Sequence, residues 1–405
     1  MGIADEAALY ALGYWMHENH PARIEGLCLN DIQKKTPCDE CSAACPAGLS
    51  IHTKTPDWHG CTDCGLCVTA CPSQAINASS ACCDSVEHAA ESARGCVVLA
   101  CTRFEGHADA VVPCLAALCW DELAAIALDI PVVLKTSPCK GCPDACAVSR
   151  LKKTVEQLKG FFGPEEFGRR FFPRIPDSLK AEHSEGIAAG VERRRAFASV
   201  AGSVKKGATH LANPDETPRA SRSRTMLIDA LENMPANERP AVRWQTLVED
   251  GNCKGCGICV NMCPHGALAL ATEAERNAHC VAQDVEGEGG ARDRAVPAEG
   301  AQGGADESDR GASAVAAPAP EPPASSGIPR YLAHDASRCT QCGLCYMSCP
   351  QENLGGWDEL ATSAVPAVRF NPIDVARCEK CGRLFKAEPG KTRCPACSRF
   401  RFAPR

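Results

Sequence analysis

The pattern of apolar and polar residues is clearest between residues 93 and 160. Three short apolar runs there are typical of strands buried on both faces: Val97–Leu99, Val111–Val112 and Val132–Leu134. The longer apolar run Ala116–Leu128 predicts a helix, and a second helix is expected over Ser149–Leu158. Because strand, helix and strand at this spacing form parallel pairs, the segment predicts a small α/β domain.

Other parts of the chain have weaker periodicity. Residues 3–17 predict a short amphipathic helix, whereas residues 161–245 are mixed and predict only a helical or irregular connection. Within that connection, residues 191–204 carry an apolar stripe flanked by arginines and lysines. This stripe fits either an ordinary helix packed on its own protein or a helix that docks peripherally on a partner or a membrane surface.

Residues 272–328 consist mainly of Gly, Ala, Pro, Glu and Asp. So few large apolar side chains cannot bury enough surface to offset the entropy lost on ordering. The composition therefore predicts a disordered insert.

The thirty cysteines are grouped in runs. Three runs have the spacing Cys-x2-Cys-x2-Cys-x3-Cys-Pro: Cys61, Cys64, Cys67, Cys71 and Pro72; Cys253, Cys256, Cys259, Cys263 and Pro264; Cys339, Cys342, Cys345, Cys349 and Pro350. A fourth run, Cys38, Cys41, Cys45 and Pro46, has Lys35 where its first cysteine belongs. In such runs three thiolates bind one [4Fe–4S] cluster and the fourth binds the neighbouring cluster. Structural zinc sites instead use separated Cys-x2-Cys pairs, so the pattern favours iron–sulfur clusters.

The runs therefore work in pairs and predict four clusters. Three ligand sets are complete: Cys45, Cys61, Cys64 and Cys67; Cys253, Cys256, Cys259 and Cys349; Cys263, Cys339, Cys342 and Cys345. The remaining set, Cys38, Cys41 and Cys71, lacks one ligand, and Cys28 is the nearest substitute. The alternatives are a three-iron cluster, a ligand from outside the chain, or loss of that cluster.

The α/β segment has cysteines of its own. Cys101 and Cys114 lie at or just beyond the carboxyl ends of predicted strands, where parallel sheets build binding sites. Cys139, Cys142 and Cys146 repeat the spacing of the incomplete run. We expect a further metal centre from Cys139, Cys142 and one or two of the other three, and the alternative is a set of reduced core thiols.

The last thirty residues contain two Cys-x2-Cys pairs: Cys378 and Cys381, then Cys394 and Cys397. Two such pairs form a zinc ribbon, in which the metal supplies the folding energy that so short a segment lacks. The first pair is also similar to rubredoxin, where the same four thiolates hold iron. Zinc is the expected occupant, with iron as the alternative.

Charge and composition exclude several classes of function. A formal net charge of −7 gives no reason to expect nucleic acid as a partner. The apolar stretch Ala110–Leu134 is interrupted by acidic residues and prolines, so we expect no membrane span. Clustered cysteines indicate a reducing compartment, and the first residues resemble no secretory signal, so we expect a cytoplasmic protein. Neither a catalytic triad nor a nucleotide-binding loop is visible in the sequence.

The paired runs resemble bacterial dicluster [4Fe–4S] ferredoxins over residues 35–76, 250–270 and 335–352. The chain as a whole is similar to the multi-cluster, polyferredoxin-like subunits of anaerobic oxidoreductases. This resemblance implies a strand after each cluster loop, at Ala75–Ile76 and Ala267–Leu268. It also implies electron transfer between a redox carrier and a catalytic oxidoreductase subunit, such as a hydrogenase, a formate dehydrogenase or a molybdopterin enzyme.

The predicted fold class is α+β, with two ferredoxin-like dicluster units, a small α/β domain between them and a C-terminal zinc ribbon. The expected regions are a dicluster domain at 1–90, the α/β domain at 91–160, the connection at 161–245, a second dicluster domain at 246–375 containing the insert, and the ribbon at 376–405. An electron relay is the first functional hypothesis. The alternatives are an enzyme that binds substrate at a metal in region 91–160, and an assembly or docking protein for an oxidoreductase.

Overall fold

The computed structural model describes residues 20–33, 37–189, 221–287 and 327–399 of the chain. Helices are mixed with small sheets, so the fold class is α+β, as predicted. The expected helix at 3–17, the apolar stripe at 191–204 and Lys35 lie outside the described residues. In the part of the chain that is described, no helix is both long enough and apolar enough to cross a membrane.

The N-terminal part has short elements between cysteine loops. Its strands β1 (Ala22–Arg23) and β2 (Ile76–Asn77) pair antiparallel. Its helices are α1 (Leu29–Ile32), α2 (Glu40–Ala43), α3 (Leu66–Ala70) and α4 (Ser80–Ser92). The strand expected after the run that ends at Cys71 is present as β2 and begins at Ile76.

The three predicted apolar runs are strands of one parallel sheet. They are β3 (Val97–Cys101), β4 (Ala110–Val112) and β5 (Val132–Lys135), and β6 (Phe171–Phe172) adds a fourth strand. The strand order is β4-β3-β5-β6, with every neighbouring pair parallel. The sheet thus contains the three strands expected from the sequence and one more, β6.

Three helices follow these strands: α5 (Trp120–Asp129), α6 (Ala145–Arg170) and α7 (Asp177–Ala189). The helix expected from Ala116 starts instead at Trp120, because Leu115–Ala117 form a 3₁₀ turn and Cys119 is extended. The second predicted helix is longer than expected and crosses residue 160. Its path breaks at Gly163, which has a φ of 75° and precedes Pro164.

The C-terminal half contains two antiparallel sheets and a hairpin. Strands β7 (Val242–Glu249) and β10 (Leu354–Thr362) form one pair; β8 (Leu268–Ala271), β9 (Tyr331–Asp335) and β11 (Val368–Pro372) form the order β11-β9-β8; β12 (Val375–Arg377) pairs with β13 (Leu384–Lys386). The helices are α8 (Arg222–Glu232), α9 (Ile258–Met262), α10 (Glu273–Gly287), α11 (Leu344–Ser348) and α12 (Pro395–Arg399). The strand implied after the run that ends at Cys263 is present as β8.

Helix α10 corrects part of the predicted disorder. It occupies the start of the stretch 272–328, and for its fifteen residues that prediction is wrong. Thr272 and Glu275 form a reciprocal cap, because the Thr272 N–H donates to Glu275 Oε2 at 2.7 Å and the Glu275 N–H donates to Thr272 Oγ1 at 3.3 Å. Arg276 and Glu273 also bond the Tyr331 hydroxyl, which holds α10 on β9. Residues 288–326 lie outside the described residues.

One apolar core joins regions that the sequence separates. It includes Leu66 of α3, the buried side of the parallel sheet, Leu158 of α6, Leu227 of α8 and Trp244 of β7. The predicted boundaries near residues 90 and 160 fall within this core, since Ala90 and Phe161 also belong to it. The cysteine loops are therefore attached to a continuous scaffold.

A buried ion pair lies where these regions meet. Arg224 Nη2 is 3.3 Å from Asp121 Oδ1, and the side chains are 3% and 0% exposed. The Arg224 guanidinium lies over the Trp120 and Trp244 rings, 4.9 and 5.8 Å from their centroids. Gln74 donates to the Asp121 carboxylate. Burial raises the pKa of Asp121, and the guanidinium partly opposes that rise.

The replacement Arg224→Met should destabilise the protein by about 3–5 kcal/mol, because it leaves the Asp121 carboxylate buried without a cation. The denaturant midpoint of the anaerobically purified protein measures this loss. The double variant Arg224→Met/Asp121→Leu should recover much of it. The matched control is Arg276→Met, which breaks an ion pair whose two side chains are 40% and 53% exposed. If Arg224→Met shifts the midpoint no further than this control, the pair does not stabilise the junction.

Candidate metal centres

The three complete cysteine runs have the same local geometry. In each, the glycine after the second cysteine precedes a five-residue helix and has a left-handed φ: 69° at Gly65, 72° at Gly257 and 76° at Gly343. An L side chain rarely adopts this conformation, so glycine allows the loop to turn tightly. The fourth cysteine then ends the helix in an extended conformation in every run. Three thiols thus stay on one loop, and the fourth lies beyond it.

Backbone N–H groups point at the cysteine sulfurs in a repeated pattern. The first cysteine of each run accepts from the residue two positions later, at 3.4 Å: Asp63 to Cys61, Gly255 to Cys253 and Gln341 to Cys339. The fourth cysteine accepts from the residue four positions later in two runs, Ala75 to Cys71 at 3.2 Å and Ala267 to Cys263 at 3.3 Å. Such donors stabilise thiolates and shift the reduction potential of a bound cluster.

Centre 1 is the set Cys28, Cys38, Cys41 and Cys71, whose side chains line one cavity. Burial raises the pKa of Cys41 to about 11, and the thiols of Cys71 and Cys28 add to the rise. The structure thus brings Cys28 to the place where the incomplete run lacks a ligand.

Asn30 is the residue that holds Cys28 in register with the incomplete run. Its amide donates to the Cys38 carbonyl at 2.7 Å, and its oxygen accepts from the Cys38 N–H at 2.8 Å. Because α1 follows Cys28 directly, this double hydrogen bond fixes the two cysteines relative to each other. Arg23 lies against the Cys28 thiol and donates to Asp31 at 2.8 Å. Neither Asn30 nor Arg23 is part of a cysteine run, so the spacing of the cysteines gives no signal for them.

Centre 2 is the set Cys45, Cys61, Cys64 and Cys67. Burial raises the pKa of Cys67, and the thiols of Cys64, Cys61, Cys41 and Cys45 raise it further. Burial raises the pKa of Cys61 as well, with further contributions from Asp63, Cys64 and Cys45. The last cysteine of the incomplete run therefore lies with the first three of the complete run, as the exchange of ligands requires.

The same exchange is seen in the C-terminal pair of runs. Centre 3 is the set Cys253, Cys256, Cys259 and Cys349, and centre 4 is the set Cys263, Cys339, Cys342 and Cys345. Burial raises the pKa of Cys259 to about 12, with further contributions from Cys253, Cys256 and Cys349. The four thiols of centre 4 line a second cavity, together with His334 and Trp357. Burial lowers the pKa of His334 to about 4, so its ring is neutral and accepts the Leu247 N–H at 3.1 Å.

The N-terminal pair of cysteine runs contacts the C-terminal pair at a Cys-Pro turn of each. His265 follows Cys263-Pro264, is 1% exposed, and its Nε2 donates to the Ser73 carbonyl at 3.0 Å. Ser73 follows Cys71-Pro72 in the N-terminal pair. The hydrogen bond therefore joins the turn after Cys71, a cysteine of centre 1, to the turn after Cys263, a cysteine of centre 4. The two residues are 192 positions apart, so no local pattern in the sequence predicts this contact.

The α/β cysteines divide into two groups. Cys101, Cys114, Cys139 and Cys142 lie at the carboxyl ends of β3, β4 and β5. Cys146 lies in the first turn of α6 and is exposed. The cysteines outside the predicted sets are Cys82, Cys83, Cys96 and Cys119, which are buried, and Cys280, which is exposed.

The ribbon cysteines form the most compact set. One ligand atom from each of Cys378, Cys381, Cys394 and Cys397 lies within 4.8 Å of the other three, and the sulfurs of Cys381 and Cys394 are 3.7 Å apart. Among the described residues, this is the group that meets that spacing. Backbone N–H groups, that of Cys394 first, lower the pKa of Cys378 to about 6. A tetrahedron of four thiolates at this distance fits a single metal ion.

The ribbon packs on the loop of centre 3. A Cβ added at Gly255 would lie 3.3 Å from Val375 and 3.4 Å from Leu384, both in the ribbon hairpin. Lys386 donates to the Gly251 carbonyl at 3.1 Å and to Asn252 Oδ1 at 2.8 Å. The ribbon therefore covers one side of the loop that carries Cys253, Cys256 and Cys259.

The donor sets fit the groups that their spacing implies. All thirty cysteines are free of disulfides, and most of the thiols in centres 1–4 are wholly or partly buried. Burial raises thiol pKa values because it disfavours the anion, so four thiolates at one place require compensating positive charge. Iron ions supply that charge. The convergence of four thiols at each centre is thus the arrangement that a [4Fe–4S] cluster needs.

A model of the family described as the 4Fe-4S binding domain matches residues 55–77, 247–269 and 332–354. These segments contain the three complete cysteine runs. They support an iron–sulfur, ferredoxin-like protein. Comparisons with curated proteins and with solved structures give no match.

Replacing Cys28 tests centre 1 directly. Cys28→Ala should lower the iron content of the anaerobically reconstituted chain by one to about four ions, because the cluster is either lost or reduced to three irons. Iron analysis and EPR of the oxidised protein distinguish these two results. Cys280→Ala, an exposed cysteine outside all sets, is the control. Unchanged iron and unchanged spectra in Cys28→Ala would exclude Cys28 as a ligand.

Proposed function

We propose that this chain is an iron–sulfur electron-transfer protein that relays single electrons through several [4Fe–4S] clusters to or from a partner oxidoreductase. The observation that carries the proposal is the arrangement of four four-cysteine centres in two pairs, joined by the Ser73–His265 hydrogen bond. Each [4Fe–4S] cluster, when bound, accepts and releases one electron at a potential set by its surroundings.

The residues around the centres perform three tasks. The cysteines hold four thiolates at each centre, and the backbone N–H groups stabilise their negative charge. Buried apolar side chains, among them Ile51 at centre 1 and Leu344 at centre 4, exclude water. His265 keeps the two pairs of centres in contact through the Ser73 carbonyl. Together these features support a continuous path along the molecule.

The positive charge of Arg224 acts on centre 4. Burial raises the pKa of Cys339 to about 12, and the positive charge of Arg224 acts in the opposite direction. A buried cation favours the more negative, reduced form of a cluster, so it raises the reduction potential. We expect centre 4 to be reduced more readily because of this contact.

The partner, the compartment and the ribbon metal belong to the same proposal. Thirty free cysteines suit a reducing compartment, which supports a cytoplasmic protein of anaerobic metabolism. A catalytic oxidoreductase subunit, a redox carrier or both would exchange electrons with the chain. Zinc is the proposed occupant of the ribbon, because its four thiols have the closed spacing of a structural site and it covers the centre 3 loop.

The variant His265→Ala should retain all its iron and slow the movement of electrons between the two pairs, because it removes the contact between their Cys-Pro turns. Pulse radiolysis can deliver one electron per chain, and the optical relaxation that follows reports its redistribution. The matched control is His59→Ala, an exposed histidine beside a cluster loop. Relaxation as fast as in the control would show that electrons do not pass through this contact. A chain that took up no electrons from any donor would contradict the electron-transfer function itself.

A further inference from the structure

The carboxyl edge of the parallel sheet gathers four cysteines that the four centres do not use. Cys101 is the last residue of β3, and Cys114 follows β4 by two residues. Cys139 and Cys142 lie in and directly after the 3₁₀ turn Ser137–Gly141, which follows β5. Because β4, β3 and β5 are adjacent and parallel, their carboxyl ends meet at one edge.

The four thiols lie close enough to act on one another. Burial raises the pKa of Cys114, and the thiols of Cys101, Cys139 and Cys142 raise it further. Burial raises the pKa of Cys139 as well, again with contributions from Cys101 and Cys142. Cys101 is 7% exposed, and the other three are half-buried. The set therefore resembles centres 1–4 in number, burial and mutual effect.

Backbone hydrogen bonds hold the loops that carry these thiols. The Thr102 N–H donates to the Val112 carbonyl at 3.0 Å, and its hydroxyl donates to the Pro113 carbonyl at 3.3 Å, which ties the β3 loop to the β4 loop. The Cys139 N–H donates to the Thr136 carbonyl at 3.0 Å. The thiols thus lie on loops fixed by the sheet, as a metal site requires.

The ribbon and the sheet-edge set differ in how closely their sulfurs approach. In the ribbon, four sulfurs lie within 4.8 Å of one another, the distance that suits a single zinc ion. Within the described residues, neither centres 1–4 nor the sheet-edge set contains three ligand atoms so close together. Thiolates around an iron–sulfur cluster are separated by the inorganic core and need not meet that distance, so the sheet-edge set is compatible with a cluster, as centres 1–4 are.

We propose that Cys101, Cys114, Cys139 and Cys142 bind a fifth iron–sulfur cluster at the carboxyl edge of the parallel sheet. Cys146 is left out of the set, because it lies in the first turn of α6 and not on a loop that directly follows a strand of the sheet. The site is additional to the relay proposed above, and only its role in electron transfer rests on that function.

The loop of centre 2 packs directly on the turn that follows Cys114. A Cβ added at Gly65, between Cys64 and Cys67, would lie 2.2 Å from the Ala117 Cβ. The Thr69 hydroxyl donates to the Ala116 carbonyl at 2.8 Å. Cys64 and Cys114 both pack against the same apolar core. This close approach gives the fifth cluster a neighbour with which it exchanges electrons.

The test compares three variants of the full-length chain, each reconstituted anaerobically with iron and sulfide: Cys139→Ala, Cys142→Ala and the control Cys146→Ala. The first two should each lose two to four iron ions and an equal amount of sulfide relative to the wild type, the content of one [2Fe–2S] or [4Fe–4S] cluster. The control should keep its full content. Zinc content should not change in any variant, because the proposed zinc ligands are in the ribbon.

EPR of the dithionite-reduced proteins gives a second readout. Magnetic interaction between the fifth cluster and centre 2 should broaden the wild-type spectrum, and this broadening should disappear in Cys142→Ala. Unchanged iron in both variants, or a loss of zinc instead of iron, would overturn the proposal. So would a loss of more than one cluster in both, since these thiols would then support centre 2. Failure of the fifth site with the iron of centres 1–4 intact would leave the relay untouched.

Discussion

The proposed exchange of one cysteine between neighbouring clusters is the constraint on which the rest of the structure depends. In the proposed ligand sets, centres 2–4 each take three thiols from one run and the fourth from the partner run, whereas centre 1 takes Cys38 and Cys41 from its own run, Cys71 from the partner run and Cys28 from outside both. Paired runs must therefore meet whatever lies between them in sequence. In the C-terminal half this requirement coincides with the β8–β9 pairing, in which Leu268 lies opposite His334. The β7–β10 pairing also joins the two runs, because it places Leu354, which follows Cys349, opposite Glu249, which precedes Cys253. The long connection between Cys263 and Cys339 is tolerated, because the entropy cost of closing a loop grows only slowly with loop length.

The second constraint is the contact between the two pairs of centres. The Ser73–His265 hydrogen bond joins their Cys-Pro turns, and the buried Arg224–Asp121 pair fixes the adjoining scaffold. Arg224 therefore links stability to function, since it holds the junction and also acts on Cys339. The apolar core that contains Leu66, Leu227 and Trp244 joins parts of the N-terminal and C-terminal halves.

Local signals in the sequence predicted much of this arrangement. Cysteine spacing predicted the four sets of cysteines, and the apolar runs identified β3, β4 and β5, because both signals lie within a few residues. Composition averaged over residues 272–328 hid α10, although Thr272 and Glu275 have the spacing of a capping box. Spacing also grouped Cys146 with Cys139 and Cys142, whereas the start of α6 separates it from them. The contacts of Asn30 and His265 join distant residues, so no local pattern could reveal them.

The exchange of ligands can be tested most directly by two double variants that share one substitution. Cys253→Ala/Cys349→Ala removes two ligands of centre 3, so the chain should lose one cluster, about four iron ions. Cys253→Ala/Cys263→Ala removes one ligand from each of centres 3 and 4, so two [4Fe–4S] clusters should be lost or reduced to three irons. EPR of the oxidised and dithionite-reduced proteins, together with iron and sulfide analysis, gives the number of [4Fe–4S] clusters that stay intact. The opposite result, with two clusters altered in Cys253→Ala/Cys349→Ala and one in Cys253→Ala/Cys263→Ala, would mean that each run holds its own cluster, and it would contradict the account.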